Sequence, residues 1–115
     1  MTCLAMKRQR LISKGSLSRL FQAAAAAWRE QDYQQTIDLL ERGSRMDPAN
    51  VNLLLDLGRA YGLRYDYAAA EQSLEKAVRL SPNNAVALAE AGRRCQEFGH
   101  YEMAKAYLER ATREK

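Results

Sequence analysis

The chain has 115 residues, with 18 Lys or Arg and 14 Asp or Glu, which gives a net charge of +4. This length suits one domain of the usual ~100–150 residues, and no apolar run reaches the ~20 residues that a membrane-spanning helix needs. Two prolines and six glycines in the whole chain disfavour a turn-rich β-sandwich or barrel. The two cysteines, Cys3 and Cys95, form neither a disulfide framework nor a zinc site, so we expect a reducing, cytoplasmic location.

The basic charge is concentrated at the N-terminus. Residues 1–29 carry six basic residues and no acidic ones, whereas residues 30–115 carry 12 basic and 14 acidic residues. A nucleic-acid-binding domain should present a basic stripe on its folded body, which is absent here. We expect residues 1–16 to be a basic leader that is flexible or forms a short helical turn, with a basic arm for an acidic partner as the alternative. Its order of apolar and basic residues does not fit a secretory signal.

A regular repeat runs through the rest of the chain. The interval between Pro48 and Pro82 is the same as the interval between Gly58 and Gly92. The same interval relates the pairs Asp32-Tyr33, Asp66-Tyr67 and His100-Tyr101. This period divides the chain into the leader and three repeats, at residues 17–50, 51–84 and 85–115.

Each repeat contains two stretches with helical periodicity. Leu54, Leu57 and Tyr61 recur at steps of three and four residues, which places them on one face of a helix. The six predicted helices cover 17–30, 33–46, 51–64, 67–80, 85–98 and 101–114. A glycine inside a helix costs about 1 kcal/mol relative to alanine, so Gly58 and Gly92 indicate points where paired helices approach closely. The fold class is therefore all-α.

This pattern resembles the tetratricopeptide repeat family, whose unit is a helix–turn–helix of about 34 residues. Repeat two carries most of the resemblance, repeat three has Cys95 where the family has a tyrosine, and repeat one departs most. The resemblance implies a right-handed solenoid of three antiparallel helix pairs. The residues of repeat two that fit the family pattern are Leu57, Gly58, Tyr61, Ala70, Leu74, Ala77 and Pro82.

The C-terminal end of the array is predicted to be polar. Thr112 and Glu114 occupy the places that Val78 and Leu80 hold in repeat two. Terminal repeats need a hydrophilic outer face because no neighbour covers them. We interpret the change as a hydrophilic closure, with an end cut from a longer protein as the alternative.

The chain offers no constellation of residues for catalysis. His100 is the only histidine and is expected in a surface turn, Cys95 is expected as a small buried residue, and Cys3 has no neighbour that would activate its thiol. A metal site would need several ligands that converge. We therefore predict no catalytic, cofactor-binding or metal-binding residues, and a protein that is not an enzyme.

What remains is binding to a protein or peptide. In the family that the sequence resembles, the first helices of successive repeats line a groove that holds a segment of a partner. The positions that this geometry assigns to the groove are Ser18, Phe21, Gln22, Ala25, Trp28 and Arg29 in repeat one; Asn52, Leu55, Asp56, Arg59 and Leu63 in repeat two; and Val86, Ala89, Glu90, Arg93 and Gln96 in repeat three.

Two points about the groove stay open. Arg59 and Arg93 occupy equivalent places and either grip a carboxylate or backbone carbonyls of a ligand, or pair with Asp56 and Glu90 on their own helices. Trp28 either packs under the leader or serves as a partly exposed anchor for a partner.

The resemblance does not extend to members that hold a chaperone's C-terminal carboxylate in a clamp of lysines, asparagines and an arginine. The corresponding places here are Phe21, Ala25, Asp56, Val86 and Glu90. Two alternatives to an independent interaction module remain: the repeat portion of a larger enzyme that positions its protein substrate, and, with less support, nucleic-acid contact through the leader.

Overall fold

A computed structural model describes residues 3–114 of the chain and the side chains of residues 15–114. Residues 3–114 form six α-helices and no strand, as the sequence predicts. Three helical hairpins result, in which α1 packs on α2, α3 on α4 and α5 on α6. The helices are α1 (Cys3–Arg29), α2 (Tyr33–Met46), α3 (Val51–Leu63), α4 (Tyr67–Leu80), α5 (Asn84–Glu97) and α6 (Tyr101–Arg113).

Each helix from α2 to α6 begins at a residue whose side chain caps it. The Asp32 carboxylate accepts a hydrogen bond from the Gln35 N–H, and the Asn50 side chain accepts one from the Leu53 N–H. Such caps satisfy backbone donors that have no partner inside the helix. The same geometry places Asp66, Asn83 and His100 at the starts of α4, α5 and α6. The cap explains why an aspartate or a histidine recurs before each tyrosine.

The turn inside each hairpin requires one residue with a left-handed backbone. Gln31, Tyr65 and Gly99 have φ angles of 59°, 66° and 83° and occupy equivalent places in the three repeats. In each turn the following N–H bonds a carbonyl five residues back; the distance is 2.9 Å from Asp32 to Ala27. This arrangement ends a helix in the Schellman manner. Only the third repeat uses glycine, the residue that adopts this conformation without strain.

The described part of the leader belongs to a longer helix. Helix α1 begins at Cys3 and continues without a break to Arg29, so residues 3–16 are helical and extend beyond a single turn. At 1.5 Å per residue, residue 16 lies about 18 Å along the helix axis from Trp28. Trp28 therefore does not pack under the leader. Its ring instead contacts the ring of Tyr33, with centroids 5.3 Å apart.

The chain divides into two compact units, Met1–Pro48 and Ala49–Lys115. In the first, α1 and α2 meet through small and aliphatic residues, among them Ala24, Thr36 and Leu40, all of which are buried. The Thr36 hydroxyl donates a 2.9 Å hydrogen bond to the Asp32 carbonyl oxygen, which satisfies the polar group inside the hairpin.

The core of the second unit lies between α3, α4, α5 and α6 and includes Leu54, Leu74, Leu88 and Cys95. Gly58 lets α3 approach α4, because a Cβ atom there would lie 2.7 Å from Leu74 Cδ2. Gly92 stands in the same relation to Leu108, at 2.9 Å from its Cδ2. The recurring helical glycine is thus explained by close packing of each hairpin, as the sequence predicts.

The polar closure at the C-terminal end is incomplete. Thr112 and Glu114 are exposed, as expected. Leu108, however, is 37% exposed, whereas Leu40 and Leu74 at the equivalent places are 5% and 0% exposed. A shallow cleft of about 340 Å³ adjoins Leu108 on this side of α6.

An ion pair joins α4 to α6 and supports a prediction about pH. The Arg110 guanidinium bonds the Glu75 carboxylate and holds the pKa of that carboxyl below its ordinary value of 4.5. A carboxyl whose pKa is lowered on folding stabilises the folded state above its unfolded pKa, and that contribution is lost as pH falls through the folded pKa.

Glu75→Gln is therefore expected to lower the free energy of unfolding at neutral pH, by less than about 1 kcal/mol because the pair is partly exposed to solvent. Urea denaturation of E75Q and wild type should give a difference that shrinks between about pH 5 and about pH 3. If E75Q and wild type differ in the free energy of unfolding by the same amount at both ends of this pH range, the lowered pKa of Glu75 is contradicted.

Candidate functional site

The first helices of repeats two and three present a continuous outer surface, which we call the α3/α5 face. Its α3 row is Asn52, Asp56, Arg59 and Leu63, and its α5 row is Val86, Glu90, Arg93 and Glu97. The spacing of four, three and four residues keeps each row on one side of its helix. Because the two rows are offset by one full repeat, each α3 position has an equivalent on α5.

Ion pairs connect the two rows. Arg59 Nη1 lies 3.0 Å from Glu97 Oε2, and Arg94 Nη2 lies 3.2 Å from Asp56 Oδ1. These contacts cross from α3 to α5 and join repeats two and three. Arg94 and Glu97 were missed by the sequence analysis, because the repeat pattern identifies equivalent positions but not the partners that meet across the helices.

Pairs within each helix complete the network. Arg59 Nη2 lies 3.6 Å from Asp56 Oδ1, and Arg94 Nη1 lies 2.5 Å from Glu90 Oε2. Arg93 also pairs with Glu90. The two same-helix pairs considered from the sequence, Arg59 with Asp56 and Arg93 with Glu90, are therefore both present. Arg94 lies beside the α5 row and is counted with the face, so three arginines and three carboxylates balance its formal charge.

The other candidate residues of repeats two and three differ in accessibility. Leu55 is 2% exposed and belongs to the hydrophobic core, so its assignment to an accessible groove is wrong. Leu63 and Ala89 are half-buried and pack against the same core. Val86 is 57% exposed, which makes it a large apolar side chain available on the α3/α5 face. Gln96 is exposed but adjoins the cleft beside Leu108.

The candidates of repeat one lie on α1, in the other compact unit. Phe21 and Trp28 are half-buried, and the remaining candidates are exposed: Ser18, Gln22, Ala25 and Arg29. The half-buried Trp28 ring contacts the ring of Tyr33, and its role as an anchor for a partner stays a prediction.

The titratable residues considered for chemistry have structural positions. Cys95 is fully buried and free, and burial raises the pKa of its thiol to about 12, so the reactive thiolate does not form near neutral pH. His100 lies in the turn before α6, as expected, and its Nδ1 accepts the Met103 N–H at 3.2 Å. Within residues 3–114 no group of three or more His, Cys, Asp or Glu side chains is placed to hold a metal ion. The described helices include none with the length and apolarity needed to cross a membrane.

Helical hairpins that recur at a fixed interval, with glycine at the close approach, define a helical-repeat protein. The tetratricopeptide repeat family matches residues 51–84, which include α3, α4, the turn between them and the connection to α5. Residues 51–84 therefore form a tetratricopeptide repeat, and the hairpins on either side of them repeat its register.

Two solved structures share this fold. MamA is 19% identical, with a TM-score of 0.67 over 85% of this chain, and this chain spans 57% of the length of MamA. The N-terminal domain of stress-induced protein-1 (STI-1) from C. elegans is also 19% identical, with a TM-score of 0.68 over 89% of this chain and 86% of that domain. No curated protein sequence matches the chain.

Proposed function

We propose that the chain is a non-catalytic protein-interaction module that holds a peptide or helical segment of a protein partner on the α3/α5 face. The observation that carries this proposal is the exposed Val86 beside a row of charged side chains that spans two repeats. An apolar contact surrounded by hydrogen-bonding groups suits recognition of a polypeptide, which offers side chains and backbone carbonyls together.

The charge distribution of the face assigns different roles to its arginines. Arg59 and Arg94 are largely covered and bridge α3 to α5, so they hold the surface in shape. The Arg93 side chain is 60% exposed, although it pairs with Glu90. Replacing the exposed ion pair with a contact to a ligand costs little free energy, because such pairs contribute only about 0–1 kcal/mol to stability. Arg93 is therefore the arginine that a ligand carboxylate or carbonyl engages.

The formal charge balance of the α3/α5 face refines the kind of ligand. A surface with equal numbers of arginines and carboxylates does not select a ligand by net charge, so we propose a segment of mixed polarity in place of a strongly acidic one. We further propose a cytoplasmic location, which suits the free, buried thiol of Cys95.

Affinity capture with the whole chain tests this proposal. The face variant is Val86→Ser with Arg93→Glu, and the matched control is Leu80→Ser with Arg79→Glu, since Leu80 and Arg79 are also exposed but lie on α4. Loss of a contact to a charged group weakens binding about tenfold or more. Partners that quantitative mass spectrometry finds on the wild type should stay on the control and fall by at least about tenfold on the face variant. Equal retention on all three proteins would refute the proposal.

A further inference from the structure

A second surface lies in the unit formed by α1 and α2. The two helices enclose an open cleft of about 710 Å³ near the C-terminal end of α2. Besides Ser16, its lining combines three arginines with three apolar side chains, and none of these residues belongs to the α3/α5 face. They are Arg19, Arg42 and Arg45, and Leu20, Ala23 and Met46.

Comparison of equivalent positions in the three repeats shows that the side of α1 that lines the cleft differs from the same side of α3 and α5. Arg19 is exposed, whereas the equivalent residues Leu53 and Ala87 are only 1% and 3% exposed. Ala23 is also exposed, although the equivalent residues in α3 and α5 are buried. In α5 this side of the helix packs against α3 and α4. The corresponding side of α1 therefore has the position of a helix-packing surface and is open to solvent.

The charge of the cleft favours one kind of occupant. Among the side chains that the structure describes, no carboxylate lines it, and all three of its arginines are exposed. Helix α1 continues from the cleft to Cys3, and residues 3–14 add Lys7, Arg8, Arg10 and Lys14 without an acidic residue. The sequence of α1 therefore contains basic residues and no acidic ones, as does the lining of the cleft.

We propose that this cleft binds an acidic amphipathic helix of a protein partner. Carboxylates of that helix would pair with Arg19, Arg42 and Arg45, since arginine forms bidentate hydrogen bonds with carboxylates. An apolar stripe would cover Leu20, Ala23 and Met46, and Met46 is already 40% exposed. Nucleic acid is the less suitable ligand, because phosphates would engage the arginines and leave the apolar lining uncovered.

The test uses the full chain and a fluorescent synthetic helix with leucines at three- and four-residue spacing flanked by glutamates. A second peptide replaces the leucines with serine at the same charge. The cleft variant is Arg42→Glu with Arg45→Glu. The matched control is Lys76→Glu with Arg79→Glu, which makes the same charge change at the equivalent places of α4.

Fluorescence anisotropy should show that the leucine peptide binds the wild type and the control with dissociation constants within about twofold of each other. The cleft variant should bind about 100-fold more weakly, at roughly tenfold for each arginine. The serine peptide should bind at least tenfold more weakly than the leucine peptide. Circular dichroism of both double variants should show that they remain folded.

Several results would overturn the proposal. Equal weakening by the cleft and control variants would mean that only net charge matters. Equal binding of the two peptides would show that the apolar lining does not contribute to recognition. Failure of the wild type to bind the leucine peptide would show that the cleft is not a binding site for such a helix. Single-stranded RNA that binds more tightly than the leucine peptide, with loss in the cleft variant, would assign the surface to nucleic acid instead.

Discussion

Leu74→Ala is expected to lower the free energy of unfolding by about 3 kcal/mol, in the range measured for fully buried leucines. Leu74 is 0% exposed and lies in the core of the α3–α6 unit, against Gly58. Its removal leaves a cavity that neighbouring backbone cannot fill, because α3 and α4 already approach as closely as the glycine allows. Urea denaturation followed by circular dichroism measures the loss.

Leu108→Ala is the matched control, since Leu108 has the equivalent place in repeat three and the equivalent contact with Gly92. Because Leu108 is 37% exposed, we expect its loss to cost about 1 kcal/mol. Gly58→Ala introduced into L74A should recover part of the stability, since the added methyl group occupies part of the cavity. Equal losses for L74A and L108A would contradict the difference in packing between the two repeats.

Gly62→Ala is expected to destabilise the same unit by about 2 kcal/mol, although alanine in a helix normally gains about 1 kcal/mol over glycine. A Cβ atom at Gly62 would lie 2.2–2.5 Å from three carbons of the Phe98 ring. The ring has little room to move, because it is 7% exposed and stacks on Tyr67 with centroids 5.9 Å apart. The free energy of unfolding in urea measures the effect.

Gly15→Ala is the control for this substitution, because none of the described atoms outside its own helical turn lies within 4 Å of a Cβ atom at Gly15. It should leave stability unchanged or raise it by up to about 1 kcal/mol. In a Phe98→Leu background the penalty of Gly62→Ala should fall, since the smaller side chain leaves space. A Gly62→Ala protein as stable as wild type would show that α3 and Phe98 are not in contact.

The repeat period was sufficient to predict the helices and the contacts that recur with them. Pro48 and Pro82 mark the ends of α2 and α4, where Asp47 and Ser81 are the C-caps. Gly92 predicts the close approach of α5 and α6, because a glycine retained inside a helix needs a packing reason. These features depend on local sequence and therefore repeat with it.

Features that occur once were not predicted. Phe98 fills space beside Gly62, and its equivalent in repeat two is the exposed Arg64. Comparison of position 98 with position 64 could have indicated this contact, because a large apolar residue stands at the end of α5 where the equivalent position of α3 has an arginine. The left-handed conformations of Gln31 and Tyr65 carry no sequence signal, since neither residue favours them.

The candidate face was predicted by position but not by accessibility. The resemblance placed Asp56, Arg59, Glu90 and Arg93 correctly on neighbouring helices, and it also included Leu55, which is buried. Helical spacing cannot separate an outward position from one beside it that the next helix covers. That distinction depends on how far α5 is rotated about its axis against α3, which only the packed structure gives.

A photo-crosslinking measurement tests the proposed binding face most directly. A benzophenone amino acid is placed at Val86 on the α3/α5 face or, as a control, at Leu80 on α4, and the full chain is irradiated with a captured partner. We expect crosslinked partner from position 86, little from position 80, and loss of the position 86 product in an Arg93→Glu background. Equal or stronger crosslinking from position 80, or a position 86 product that Arg93→Glu leaves unchanged, would contradict it.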